Sequence, residues 1–296
     1  MPEYAVHETP VPDESAAAVQ IEYTISASQA QEFQRQRARP IGADERLGGL
    51  EIQRIVDRLS RVTERPHLTY RVYLYQDRDP NAAALADGRV YVSTGMTAYL
   101  EHRGSRPDEL AFVLGHELAH TVAQHLVKRY RTLQQQQLLM GLVAAGTAAV
   151  TRDANSGIQQ AGRLAMDVAS LLQDVANSGY SQAQELEADQ LGVRYMTKAG
   201  FHPQAALDVL EDFSRFEDPW PFLRTHPYSA QRRADLQRYL NEHGGSAGGP
   251  VPTSASSRSA TEGRLRQLRD TQRLYPVGSL SWKNLQRQID ALEHER

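Results

Sequence analysis

The sequence predicts an α+β fold, mostly helical, built around a small and mainly antiparallel sheet. The clearest strand-type runs lie in one region, 69–75 and 89–93, with an Asp87-Gly88 hairpin signal between them. Almost everything after residue 94 repeats its apolar residues at helical spacing. A chain of 296 residues holds one large domain or two small ones, and no internal repeat is visible. The reading divides the chain into an N-terminal arm (1–45), a principal domain (46–243), a flexible linker (244–260) and a small helical tail (261–296).

The elements follow in order. The first 20 residues, with Pro2, Pro10 and Pro12, read as a loose arm. Ile21, Tyr23 and Ile25 alternate with Glu22 and Thr24 and predict a short strand, followed by a polar helix over 29–39. Ile52, Ile55, Val56, Leu59 and Val62 make 50–62 an amphipathic helix. The two strands flank a short extended stretch, 81–85, and 97–101 is a helical link. One long helix is expected from 106 to about 136, capped by Ser105, with Pro107 in its first turn, Asp108 and Glu109 at its positive end and Lys128, Arg129 and Arg131 at its negative end. Segments 138–150 and 161–175 predict a helical hairpin with an alternative role as a peripheral membrane or envelope contact. Ser181 and Gln184 form a capping box that opens the next helix, which ends at Gly200. Helices over 203–216 and 231–240 close the domain, with an irregular stretch at 218–225 between them.

Composition excludes several classes. Lys+Arg 33 against Asp+Glu 36 gives a net charge of −3, which offers nothing to nucleic acid. With no cysteine there is neither disulfide nor thiolate metal site, so any metal must sit on histidine and carboxylate. The N-terminus carries no signal-peptide pattern. The longest apolar run, 138–150, is 13 residues, short of the roughly 20 that span a bilayer.

The chemistry concentrates at His116-Glu117-Leu118-Ala119-His120. Positions i and i+4 of a helix share a face, so the two imidazoles can converge on one cation while Glu117 reaches a water beside it. At this composition the H-E-x-x-H string arises by chance in about one chain in fifty, so it needs company. A third histidine on the same helix would require glycine at 123 and histidine at 126, where the chain has Ala123 and Leu126. His125 is one place short and, on an unbroken helix, reads as a packing residue. A carboxylate from another helix is the other option. Glu185 and Asp189 share a face, so Glu185 can complete the ligand set while Asp189 accepts the outer N–H of a ligand histidine. Glu187 reads as a solvated charge.

Several ordered blocks occur together: Asn81 to Leu85 before Gly88, Glu109-Leu110 ahead of His116 to His120, the Glu185 and Asp189 pair, Ala199-Gly200-Phe201, and Thr225-His226-Pro227 with Arg232. In these blocks the chain resembles the gluzincin zinc metallopeptidases that include HtpX, BepA and the CAAX prenyl proteases. The resemblance implies a zincin-like domain holding one Zn2+ per chain, with His116, His120 and Glu185 as ligands and Glu117 as general base. It implies protein or peptide substrates, a role in protein quality control, and a place in a bacterial periplasm or cell envelope. His226 and Arg232 are expected as catalytic candidates for steadying the oxyanion. In BepA-type members a histidine of this motif can reach zinc, so His226 has a second possible role, as a latch on the metal's open position. Substrate is expected to add as a strand near Asn81, Ala82 and Ala83, a stretch that can equally be an ordinary edge strand. The chain departs from the pattern in lacking the spanning segments of membrane members and in having Arg233 directly after Arg232. A zinc-holding chaperone or assembly factor with minor hydrolysis is the rival reading.

Overall fold

The computed structural model describes residues 6–144, 168–175, 177–214, 224–227 and 230–243, together with 269, 272, 286, 289 and 290, with the backbone alone over 137–144. The helices bounded within the described residues run in chain order: α1 (Ala16–Arg35), α2 (Ile52–Ser60), α3 (Thr94–His102), α4 (Pro107–Val122), α5 (His125–Ala144), α6 (Gln182–Lys198), α7 (Ala205–Phe213) and α8 (Ala230–His243). Four short strands, β1 (Arg39–Pro40), β2 (Val72–Tyr75), β3 (Ala82–Ala84) and β4 (Val90–Ser93), form one sheet in the order β1-β2-β4-β3. Most of the expected hairpin at 138–175, the stretch 218–223, the linker and most of the tail lie outside the described residues. Among the described residues no helix is long and apolar enough to cross a membrane.

The β3–β4 pair is the antiparallel hairpin expected at Asp87-Gly88, with Gly88 at φ 93°. β2 and β4 run parallel, with Val72 opposite Val90, and β1 closes the far side antiparallel to β2. The sheet is therefore mixed, and β3 is left as its edge.

α4 is the hub. Every residue from Glu109 to Val122 is buried, because β3, α2, α6 and α7 all pack on it. A helix enclosed on all sides carries His116, Glu117 and His120 into the dry interior, where each polar atom needs a partner. α6 crosses α4 where glycine meets glycine. A Cβ built on Gly192 would lie 2.8 Å from the His116 backbone nitrogen, and one on Gly115 would lie 3.0 Å from the Gly192 oxygen. This crossing sets how close Glu185 and Asp189 come to the histidines.

Four further expectations change. Residues 21–25 belong to α1 rather than a strand: Ile25 is buried, Ile21 packs beside it and Tyr23 is 67% exposed, so the apolar pair is spaced i to i+4. Residues 6–20 are not loose, since the His7 N–H bonds Gln190 and Glu14 joins Glu22 in clasping the buried Arg65. The long helix expected from 106 to 136 breaks at Gln124, which takes φ 55°. Its side chain accepts from the Asp13 N–H and donates to the Asp13 carbonyl and to Glu22, bonds that offset the cost of a left-handed non-glycine residue. Ser105 does not cap α4 either. It sits at φ 54°, and Arg106 takes the N-cap place without a side-chain bond.

Gly192→Ala should lower unfolding free energy by about 1–3 kcal/mol in urea, because backbone and not a flexible tip occupies the space. Gly42→Ala, whose Cβ would meet nothing nearer than 3.7 Å, should stay within roughly 0.5 kcal/mol of wild type. Equal stability of the two variants would show that the helix crossing is not tight.

Candidate active site

The capping box at Ser181 and Gln184 starts α6 as the sequence predicts, and Glu185 follows in its first turn. α4 presents His116 and His120 to it with their Nε2 atoms 3.1 Å apart. Glu185 lies 3.5 Å from His116 Nε2 and 3.4 Å from His120 Nε2. His226 completes the group: its Nδ1 is 3.2 Å from His116 Nε2 and 3.0 Å from Glu185 Oε1. The four ligand atoms all fall within 4.8 Å of one another and all four residues are buried.

Glu117 sits beside this group. Its Oε2 accepts the Ala84 N–H of β3 at 3.2 Å, and His226 Nε2 stands 3.3 Å from its Oε1. No aligned hydrogen bond reaches Glu117 Oε1 among the described residues. Behind the ligand atoms, Asp189 Oδ1 faces His116 Nδ1 at 2.9 Å and is itself gripped by Arg232, which makes two bonds to Asp189 at 2.7 and 2.8 Å. Arg232 Nη1 also pairs with Glu185 Oε2 at 2.6 Å and donates to the Pro227 carbonyl. Arg233 points outward to Glu211. One buried guanidinium thus holds both Asp189 and Glu185.

Charge in the group is arranged for a cation. Burial pushes the Glu185 carboxyl up, but Arg232, His226 and His116 outweigh it and hold it well below the usual carboxylate range. Asp189 is likewise lowered against burial, chiefly by Arg232. Burial holds His120 well below the usual imidazole value. His116 is pushed down by burial but further up by Glu185 and Asp189, to about 9. Burial raises Glu117, drawn back partly by His226 and His116. With Asp189 accepting from His116 Nδ1, the proton that a metal would displace is the one on Nε2, and its loss leaves a lone pair facing His120 and Glu185. Lone pairs and an ionised carboxylate crowded this closely repel unless a positive charge sits among them. The residues present fit a metal ion.

Sequence reasoning missed His125 and Glu187. The break at Gln124 turns His125 inward, so that its Nδ1 lies 2.8 Å from His120 Nδ1, and Glu187 Oε2 is 3.1 Å from its Nε2. Glu187 is thus no solvated charge. Tyr180, also missed, lies against His120 with its ring tilted by 33° and the centroids 3.9 Å apart. No local pattern marks the turn at Gln124, because its anchors lie over a hundred residues away in sequence.

A helix-borne H-E-x-x-H, a carboxylate from a second helix and a sheet edge beside them define the zincin class of metallopeptidase scaffold. Residues 48–240 match the profile of peptidase family M48. The chain belongs to that family. It is 30% identical over 193 residues to the beta-barrel assembly-enhancing protease of Yersinia pestis, covering 63% of this chain and 37% of that one. It is 28% identical over 197 residues to the mitochondrial metalloendopeptidase OMA1 of Schizosaccharomyces pombe, covering 65% and 53%. Against the metalloprotease LoiP of Escherichia coli it is 27% identical over 180 residues, covering 60% and 64%. The match to the first two relatives spans between a third and about half of their length.

Arg232→Met should cost about 3–5 kcal/mol of stability in the metal-free chain, because it strands two buried carboxylates. Arg232→Lys should recover only part, since an ammonium cannot grip Asp189 with two parallel bonds and still pair with Glu185. Urea unfolding of the three proteins measures it, and a loss below 1 kcal/mol for the methionine variant would contradict the network.

Proposed function

We propose that this chain is a zinc-dependent metalloendopeptidase that cleaves protein substrates in quality control, with zinc held by His116, His120 and Glu185. The observation that carries the reading is the convergence of two imidazole Nε2 atoms and one carboxylate beside a second buried carboxylate, Glu117, that is tied to a sheet edge. Nitrogen and carboxylate ligands without thiolate suit a catalytic zinc, which needs three protein ligands and one open position. When bound, zinc supplies Lewis-acid polarisation of the scissile carbonyl and acidifies the attacking water toward a pKa of about 7.

The chain's own residues do the rest. Glu117 takes the proton of the attacking water and returns it to the leaving amine, and burial raises its pKa toward the range a general base needs. Its Oε2 is fixed by the Ala84 N–H, so β3 and the base share one register. Asn81 and Leu85 direct their ladder bonds to β4, so in an antiparallel pair the intervening Ala82 and Ala84 turn theirs outward. Substrate laid along this edge meets the Ala82 backbone and the Ala84 carbonyl, which moves the expected contacts from Asn81 and Ala83 toward the even-numbered positions. Arg232 and Asp189 orient Glu185 and His116. His226 lies within reach of the ligands and of Glu117 together, the placement of a latch that must withdraw before water and substrate enter. The names of the relatives support protein substrates, and the beta-barrel assembly in the name of the Yersinia pestis relative supports a role in the cell envelope.

Glu117→Gln should keep fold and zinc yet lose about 10²–10⁴ in turnover of casein. Retained cleavage would favour a different base, and retained biological function without cleavage would favour the chaperone reading.

His226→Ala should raise kcat on a fluorogenic peptide while zinc stays bound. A tenfold fall in kcat with zinc retained would make His226 an oxyanion donor instead.

A further inference from the structure

We propose that Glu187 and His125 form a positioning relay that fixes the tautomer and aim of His120 toward zinc; this rests on the zinc reading given above. The chain of contacts is continuous. Glu187 Oε2 stands 3.1 Å from His125 Nε2, and His125 Nδ1 stands 2.8 Å from His120 Nδ1. His125 is fully buried, and its carbonyl accepts a bond from the Gln184 amide.

Donor and acceptor roles can be assigned from the carboxylate end. An ionised carboxylate only accepts, so His125 Nε2 carries hydrogen. A neutral ring then leaves Nδ1 bare, and that nitrogen can only accept from His120 Nδ1–H. His120 Nε2 is left as a lone pair, 3.1 Å from His116 Nε2 and 3.4 Å from Glu185, where a ligand atom is needed. The reverse order, with His125 Nδ1 donating, would put hydrogen on His120 Nε2 and close the site to a metal. One half-buried carboxylate thereby sets two rings in series.

The two ligand histidines are held by different means. His116 Nδ1 meets the Asp189 carboxylate directly, and Arg232 backs that carboxylate. Asp189 lies behind His116 and cannot serve His120 as well. The turn at Gln124 supplies the substitute. On an unbroken helix a residue five places on is rotated about 140° away from His120. The left-handed Gln124 brings His125 back beneath it instead. Gln124 in turn is held by Asp13 and Glu22, so the N-terminal segment and α1 fix the turn that the relay needs.

The test measures zinc affinity of the purified full chain by competition with a chromophoric chelator, with circular dichroism and urea unfolding run beside it. His125→Phe keeps the ring but leaves His120 Nδ1–H without an acceptor, and should weaken zinc about 10–100-fold. His125→Gln, whose amide oxygen can accept the same proton, should bind more tightly than His125→Phe. Glu187→Leu should weaken zinc less than His125→Phe, and Glu187→Gln less again. The double variant His125→Phe/Glu187→Leu should bind as His125→Phe does, because Glu187 acts only through His125. Zinc binding by His125→Phe as tight as wild type would overturn the relay, and so would additive losses in the double variant. If His125→Phe does not fold, the order of His125→Gln and Glu187→Leu against wild type decides the matter, and wild-type affinity in both overturns it. Absence of stoichiometric zinc from the wild-type chain would sink the metal reading and the relay together, whereas tight wild-type binding with unaffected variants sinks the relay alone.

Discussion

Two carboxylates one helical turn apart, Glu185 and Asp189, are each 1% exposed and both held ionised, and the rest of the structure answers to them. Two negative charges that close in a dry interior repel strongly unless cations surround them. Arg232 supplies one positive charge from α8, which is why a helix far along the chain folds back to the centre. The remaining demand falls on the side of His116 and His120, where a proton or a metal ion can meet it. A cation at the histidines is thus one half of a charge balance whose other half, Arg232, is built into the fold.

That balance depends on distance, and distance is set by glycine. Where α4 crosses α6, Gly115 and Gly192 let the two backbones approach closely enough for a short carboxylate on one helix to reach an imidazole on the other. The same hub helix bears on β3, whose Ala84 N–H holds Glu117. His116, His120, Glu117 and the sheet edge are therefore positioned by one rigid element, which suits chemistry that loses rate when a group moves by an ångström.

Much of this was legible in the sequence where the signals are local. The capping box at Ser181, the hairpin at Asp87-Gly88 and the i, i+4 histidines each depend on residues within a few positions of one another. Failures came where distant residues decide. Ile21, Tyr23 and Ile25 fit both a strand and a helix over five residues, and only packing against Leu126 and Tyr130 selects the helix. Gln124 turns left-handed because Asp13 and Glu22 bind its amide, so neither the break in the long helix nor the inward turn of His125 could be read from spacing. Arg232 and Arg233 are indistinguishable as neighbours in sequence. The register of α8 against α6 directs the first inward to Asp189 and the second outward to Glu211.

Zinc K-edge absorption spectroscopy on the purified chain tests the central claim most directly. The account predicts one zinc per chain in a shell of nitrogen and oxygen at about 2.0–2.1 Å, with the outer scattering of imidazole rings. That imidazole scattering should fall in His226→Ala and collapse in His120→Ala. A chain that holds no zinc, or whose zinc shell shows no imidazole, would contradict it.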